Sequence, residues 1–372
     1  DQPVGAGALL AASRDISATS HLPVLKLDLL CVDVDPNSAR PDAIIDHAPR
    51  LTPAEARALF DNVLAKWREA EPDLARDLEI LAIDENAAAL LDRSGRRWLD
   101  LAAWSPVSLV GQVWTCCKPE GEHAEVLARL IDLGVEALAE SEVNRARVEA
   151  GLLPANIAWP WGCGTLAPLP DFREHFNLRA AIATDDAVST GLARLIGWDR
   201  LPLPDLPFNE PLTAIEAIGR EAAEAIDRYD LVCAYIAEPA RAAMNGNADA
   251  KIRALEHADK HVIKPILDKL HTYGDAETAA PAELESTGWR ILVACDIPVS
   301  TQRRLPLPLP APFAMDGAWV RSVLELPFTE DDAARGDVIV EPGCDLMEYF
   351  LLSSMRAPRR KSQRATQNEN DE

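Results

Sequence analysis

The sequence predicts an α/β protein in which a mostly parallel sheet lies between helices and carries an α+β block ahead of it. From Pro154 onward, short apolar runs alternate with helical segments, the pattern of parallel strands joined by crossover helices. Two of those runs, LVCAYI (231–236) and ILVAC (291–295), are continuously apolar, as expected of central strands buried on both faces. Upstream, roughly residues 20–150 mix strand and helix patterns with the character of one compact domain. At 372 residues and 48% hydrophobic, the chain can bury a large core, and two domains are expected.

Each element has a local reason. Residues 22–34 (LPVLKLDLLCVDV) alternate apolar positions and end in β-branched residues, which predicts a strand. Thr52 stands three residues before Glu55 at the head of an apolar-periodic run, a capping box that opens a helix of about 17 residues. DLEILAID (77–84) and VSLVGQVWTCC (107–117) read as strand-like, and 122–138 as an amphipathic helix that 142–150 extends or follows. Beyond Pro154, a short run at 179–184 precedes helices at 187–196, 212–226 and 248–270. The prolines of LPLPLPAPF (305–313) remove too many donors for a central strand, so this stretch suits an edge or a polyproline-like connection. Residues 356–372 are polar and rich in Arg, Gln and Asn, which predicts disorder.

The formal charge of −23 disfavours a nucleic-acid partner, because phosphate is repelled over most of the surface. No apolar stretch approaches the length of a membrane span. The seven cysteines are scattered and form no CxxC pair, so a reducing cytoplasm is expected, with Cys116 and Cys117 as strand residues. Walker, GxGxxG and GxSxG motifs are absent from the sequence.

The most unusual segment is NRARVEAGLLPANIAWPWGCG (144–164), which concentrates two tryptophans, prolines and glycines in a composition unlike a generic helix or strand. It resembles the corresponding segment of the archaeal-type cofactor-independent phosphoglycerate mutases, in the alkaline phosphatase superfamily. GAGALL (5–10), LKLDLLCVDVD with Asp46-His47 and LTPAEARALFDNVL, AKIRALEHADKHVIKPIL, WRILVACDIP and PAPF extend that resemblance over almost the whole chain. It implies an alkaline-phosphatase-like three-layer α/β sandwich with an inserted α+β domain. The implied layout is a segment 1–21 leading from the core, the inserted domain at 22–150, the core at 151–355 and the tail at 356–372.

The resemblance also implies chemistry: two divalent ions of the manganese or zinc type, and a serine that carries the phosphoryl group between the two hydroxyls of glycerate. The family's Asp-x-x-x-His element corresponds to Ala240 and Met244, and its Asp-His pair to Asp296 and Ile297. A further histidine corresponds to Pro306, and the glutamine and lysine after the Trp motif to Cys163 and Thr165. Asp296 is the one ligand of these that is kept, and Ala, Met, Ile and Pro cannot replace a hard-metal donor. The aspartate of the first core strand and the nucleophilic serine belong upstream of GAGALL; the chain starts there, without methionine, which suggests a fragment or processed chain. Without that strand the core sheet would expose unpaired edges.

The expectation is therefore a mutase-like protein without a working metal site or cofactor, acting structurally or in regulation through a phosphorylated small metabolite or a protein partner. The alternatives are an active mutase using manganese or zinc, and a single-metal hydrolase built on Asp296. Arg145 and Arg147 are candidate anion contacts, with surface salt bridges the equal alternative. His257 and His261 have the i, i+4 spacing of a zinc pair, but a solvated polar face is the preferred reading of so amphipathic a helix. Asp185 and Asp186 are read as a helix cap rather than an acid/base pair, and Trp159 and Trp161 as packing residues rather than a stacking platform.

Overall fold

The computed structural model describes residues 4–14, 16, 21–96, 98–166, 169–204, 210–273, 288–318, 320, 327–336 and 338–352. The tail expected to be disordered, 356–372, lies outside the described residues. The chain divides into two compact units, Asp1–Glu238 and Pro239–Glu372. No helix among the described residues is long and apolar enough to cross a membrane.

The first unit opens with α1 (Ala6–Ala12), β1 (Pro23–Val32) and β2 (Ile44–Asp46). Helix α2 (Pro53–Ala70) starts at the predicted capping box: Glu55 N–H donates to Thr52 Oγ1 at 3.2 Å and Thr52 N–H to Glu55 Oε2 at 2.7 Å. Then come α3 (Pro72–Ala75), β3 (Leu78–Ala82), β4 (Ala87–Asp92), α4 (Pro106–Leu109), α5 (Ala124–Ala139), α6 (Glu142–Glu149) and β5 (Ile157–Thr165). Strand β1 is the hub of an antiparallel sheet, paired with β4 over Val24–Asp28, with β5 over Pro23–Leu30 and with β2 at its end; β3 extends β4. Period-2 alternation sends Leu25, Leu27 and Leu29 of β1 into a core with Leu59, Phe60, Val63 and Trp67 of α2 and Leu127 and Leu130 of α5.

Helix α1 is buried by glycine. A Cβ on Gly7 would stand 2.4 Å from the Val24 carbonyl oxygen, so only glycine lets the helix lie against β1. Gly162, at φ 59°, lies where the β1–β5 register shifts, and a Cβ there would meet that of Ala6 at 2.9 Å.

Past β5 the predicted alternation begins: α7 (Phe172–Phe176), β6 (Ala180–Ala183), α8 (Ala187–Leu195), β7 (Asp199–Arg200), α9 (Pro211–Ala225) and β8 (Leu231–Ala234). Here the pairing is parallel, in the order β7-β6-β8. The second unit begins within α10 (Glu238–Met244) and continues through α11 (Ala248–Ala258) and α12 (Lys264–Leu270). Strand β9 (Arg290–Ala294) pairs antiparallel with β12 (Phe313–Gly317), and β10 (Val299–Ser300) pairs with β11 (Leu305–Pro306), a two-residue contact that suits the proline-rich stretch.

The structure differs from the sequence reading at three places. Residues 107–117 form α4 and a 3-10 turn at Trp114–Cys116, not a strand. Pro106 opens a helical turn, Gly111 at φ 82° ends it, and the backbone then bonds to the loop edge, with Ile44 N–H to Gln112 O at 2.9 Å and Trp114 N–H to Asp42 O at 3.0 Å. Second, the Trp-bearing part of the unusual segment, Ile157–Thr165, is a strand in spite of its composition, because β1 supplies the pairing edge that local propensity cannot register. Third, the LVCAYI and ILVAC strands are half-buried, each with one strand neighbour among the described residues. An apolar run reports burial and does not count neighbours.

Candidate functional site

The Trp motif holds the β1–β5 pairing together. The Asn144 amide donates to the carbonyls of Leu138 (2.9 Å) and Ala155 (2.8 Å) and accepts from Ala155 N–H (2.9 Å). The Asn156 side chain exchanges two bonds with Val32, at 2.7 and 2.9 Å, copying a strand partner at the end of β1. Trp159 is fully buried and donates to Trp104 O at 3.0 Å, so it packs as expected.

Arg147 is 5% exposed; it donates to Leu153 O at 2.9 Å and to Glu55 Oε1 at 3.0 Å. One guanidinium thereby ties the turn after α6 to the capping box of α2. Arg145 lies on the exposed side of α6, so the structure does not bring the two arginines together on one face.

On the opposite face of β1 from Leu25 and Leu27 lies a polar cluster that sequence reasoning missed. Asp28 is 4% exposed; its Oδ2 accepts from Trp161 Nε1 at 2.6 Å. Its Oδ1 lies 3.2 Å from Lys26 Nζ as an ion pair, without hydrogen-bond geometry. The Lys26 ammonium stands over the Trp161 ring at 5.3 Å. Burial pushes the His47 imidazole below its ordinary range; Asp46 and Asp28 oppose that, and Lys26 adds to it. A paired ammonium and carboxylate beside a neutral imidazole can orient a polar group, and the pairing cancels most of the field an anion would feel. The signal in the sequence was the Lys26–Asp28 alternation inside an otherwise apolar strand.

The residues at which the resemblance implies metal ligands lie in the second unit. Ala240 and Met244 are on α10, both half-buried. Asp296 and Ile297 are exposed in the turn after β9, and Pro306 is in β11. Lys251 donates to Val299 O at 3.1 Å beside that turn. Burial pushes the Cys295 thiol up, and the nearby Lys251 partly offsets this. Among the described residues, Asp296 belongs to no group of three metal-type donors within reach of one ion. The donor set at these positions does not fit a pair of hard divalent ions. Cys163 and Thr165 are half-buried in β5, where burial pushes the Cys163 thiol up to about 12.

Asp186 caps α8, accepting from Ser189 N–H at 2.7 Å, with Asp185 exposed beside it. Cys116 and Cys117 lie in and after the 3-10 turn instead of in a strand, and all seven cysteines are free.

No family model matches the chain. Its fold is shared with the PH0037 protein of Pyrococcus horikoshii, at TM-score 0.60 and 18% identity over 95% of this chain and 80% of that one. The likeness defines the chain's fold class, an α/β protein folded like that one. The chain is 30% identical over 252 residues to the 2,3-bisphosphoglycerate-independent phosphoglycerate mutase of Methanothrix thermoacetophila, covering 68% of this chain and 61% of that one. The enzyme of the same name from Aeropyrum pernix is 33% identical over 182 residues, 46% of this chain and 42% of that one. Over these stretches the chain is similar to archaeal 2,3-bisphosphoglycerate-independent phosphoglycerate mutases. It spans 61% of the length of the first of these relatives and 42% of the second.

Proposed function

We propose that this chain is a catalytically silent member of the mutase family with a structural or regulatory role, exercised through a protein partner or a bound phosphorylated metabolite in a reducing cytoplasm. The observation that carries this reading is the set Ala240, Met244, Ile297 and Pro306 at positions where the family's chemistry calls for carboxylate and imidazole. Phosphoryl transfer through a serine needs that hydroxyl activated and the charge on the transferring oxygens neutralised. Side chains without a hard donor supply neither. Arg145 is the contact we assign to a phosphorylated metabolite, since Arg147 is engaged by Glu55.

The test is mutase turnover of 2- and 3-phosphoglycerate with manganese, using the full gene product. Background turnover, unchanged by Asp296→Ala, is the expected result. Manganese-dependent turnover abolished by Asp296→Ala would establish the opposing reading, an active mutase with a rebuilt metal site, which the retained Asp296 favours.

A further inference from the structure

We propose that His257 and His261 form a two-imidazole binding site for a borderline transition-metal ion of the zinc, nickel or copper class. The site is separate from the positions that correspond to the family's ligands. It rests on the second unit alone and does not depend on whether the protein turns over phosphoglycerate.

The backbone sets up the pair. Helix α11 passes through one π-helical turn, Asp259–Ile263, into α12, so His257 stands just before the point where the helix widens and His261 stands within it. Such turns interrupt the regular bonding ladder and recur at functional sites. The two rings face each other with centroids 4.2 Å apart and planes tilted by 30°. Their ligand nitrogens lie within 4.8 Å. Two zinc–nitrogen bonds at a tetrahedral angle need nitrogens about 3.3 Å apart, a separation within that limit.

Both histidines are half-buried, unlike the solvated face preferred from the sequence, and Ala258 and Val262 beside them are buried. That anchors the helix face that carries the pair. Lys264, the next cation along the helix, is engaged by Asp268 at 2.8 Å. Imidazole nitrogens select zinc, nickel and copper over manganese, magnesium or calcium, so this site would discriminate against the ions used by hard-donor sites.

The experiment is an equilibrium titration of the full, metal-stripped chain with zinc chloride, nickel chloride and manganese chloride. Wild type, His257→Ala, His261→Ala, the double variant and Asp296→Ala are compared, with circular dichroism as the folding control. Zinc or nickel should bind at roughly one ion per chain, and either histidine substitution should weaken binding roughly tenfold or more. Asp296→Ala should bind as wild type, and manganese should not compete. Wild-type affinity in the double variant, or loss with Asp296→Ala alone, would overturn the proposal. If an alanine variant misfolds, zinc protection of His257 and His261 from diethyl pyrocarbonate, read by peptide mass spectrometry on the unaltered chain, decides. Equal modification with and without zinc overturns it.

Discussion

Trp161 donates its indole N–H to the buried carboxylate of Asp28 at 2.6 Å, joining residues 133 positions apart across the β1–β5 pairing. The bond shows why a strand that is otherwise a leucine ladder tolerates a charge. Asp28 is held by the indole on one oxygen and the Lys26 ammonium on the other.

Trp161→Phe keeps the ring that Lys26 stands over but leaves a buried carboxylate oxygen without its donor. Loss of that partner costs about 1–3 kcal/mol. A lower urea midpoint than wild type, with an unchanged slope, is the expected outcome. Asp28→Leu, which instead strands the Lys26 ammonium, is expected to destabilise as well.

Glu55 links the α2 cap to Arg147, so its titration acts on both. Burial by itself raises the Glu55 carboxyl, but hydrogen bonds from the Thr52 backbone and side chain and from Arg147 together hold it below its ordinary value of 4.5. A depressed folded-state value means that the stabilisation is complete above pH 4.5, the unfolded value, and is lost as pH falls through the folded one. The difference in unfolding midpoint between wild type and Glu55→Gln should be full at neutral pH and shrink below pH 4.5. Thr52→Ala, which removes one half of the capping box, should cost about 1 kcal/mol.

Two helix glycines should respond oppositely to alanine. At Gly191 of α8 a Cβ would lie 1.8 Å from the Leu9 carbonyl oxygen of α1, so Gly191→Ala overpacks the contact and should cost about 1–3 kcal/mol. At Gly134 of α5 the nearest atom would be the Ala158 Cβ at 3.6 Å, an ordinary contact. There the gain in helix propensity dominates, and Gly134→Ala should stabilise by up to about 1 kcal/mol. Paired thermal melts read both signs.

Thiol reactivity should follow exposure and burial. Burial pushes Cys31 and Cys163 up to about 12 and Cys233 to about 11, with Asp46 and Asp33 adding to the effect at Cys31. Cys116 and Cys344 are exposed. In iodoacetamide labelling of the native protein at neutral pH, peptides with Cys116 and Cys344 should be modified first. Early modification of Cys163 would contradict the packing of α1 on β5.

Much of the chain was legible because its signals are local. The capping box at Thr52 and Glu55, the Asp186 cap and the apolar period of α5, α8 and α9 act within a few residues, so helix positions could be read directly. The segment 107–117 failed because its bonds go to residues 42–44, and the Trp motif failed because its strand character depends on β1.

The sequence by itself carried the likeness to the mutases, and the Ala240, Met244, Ile297 and Pro306 side chains on which the proposed function rests are read from it without coordinates. Only the tertiary structure decided what the remaining polar residues touch. It turned Arg147 inward to Glu55, left Arg145 outside, closed Trp161 onto Asp28 and stacked His257 on His261. For the first three, the reason is distance along the chain. Glu55 and Arg147 are 92 positions apart, and no local periodicity reports a partner that far away. The histidine spacing was visible from the start, but which way that face of the helix turned was settled by packing.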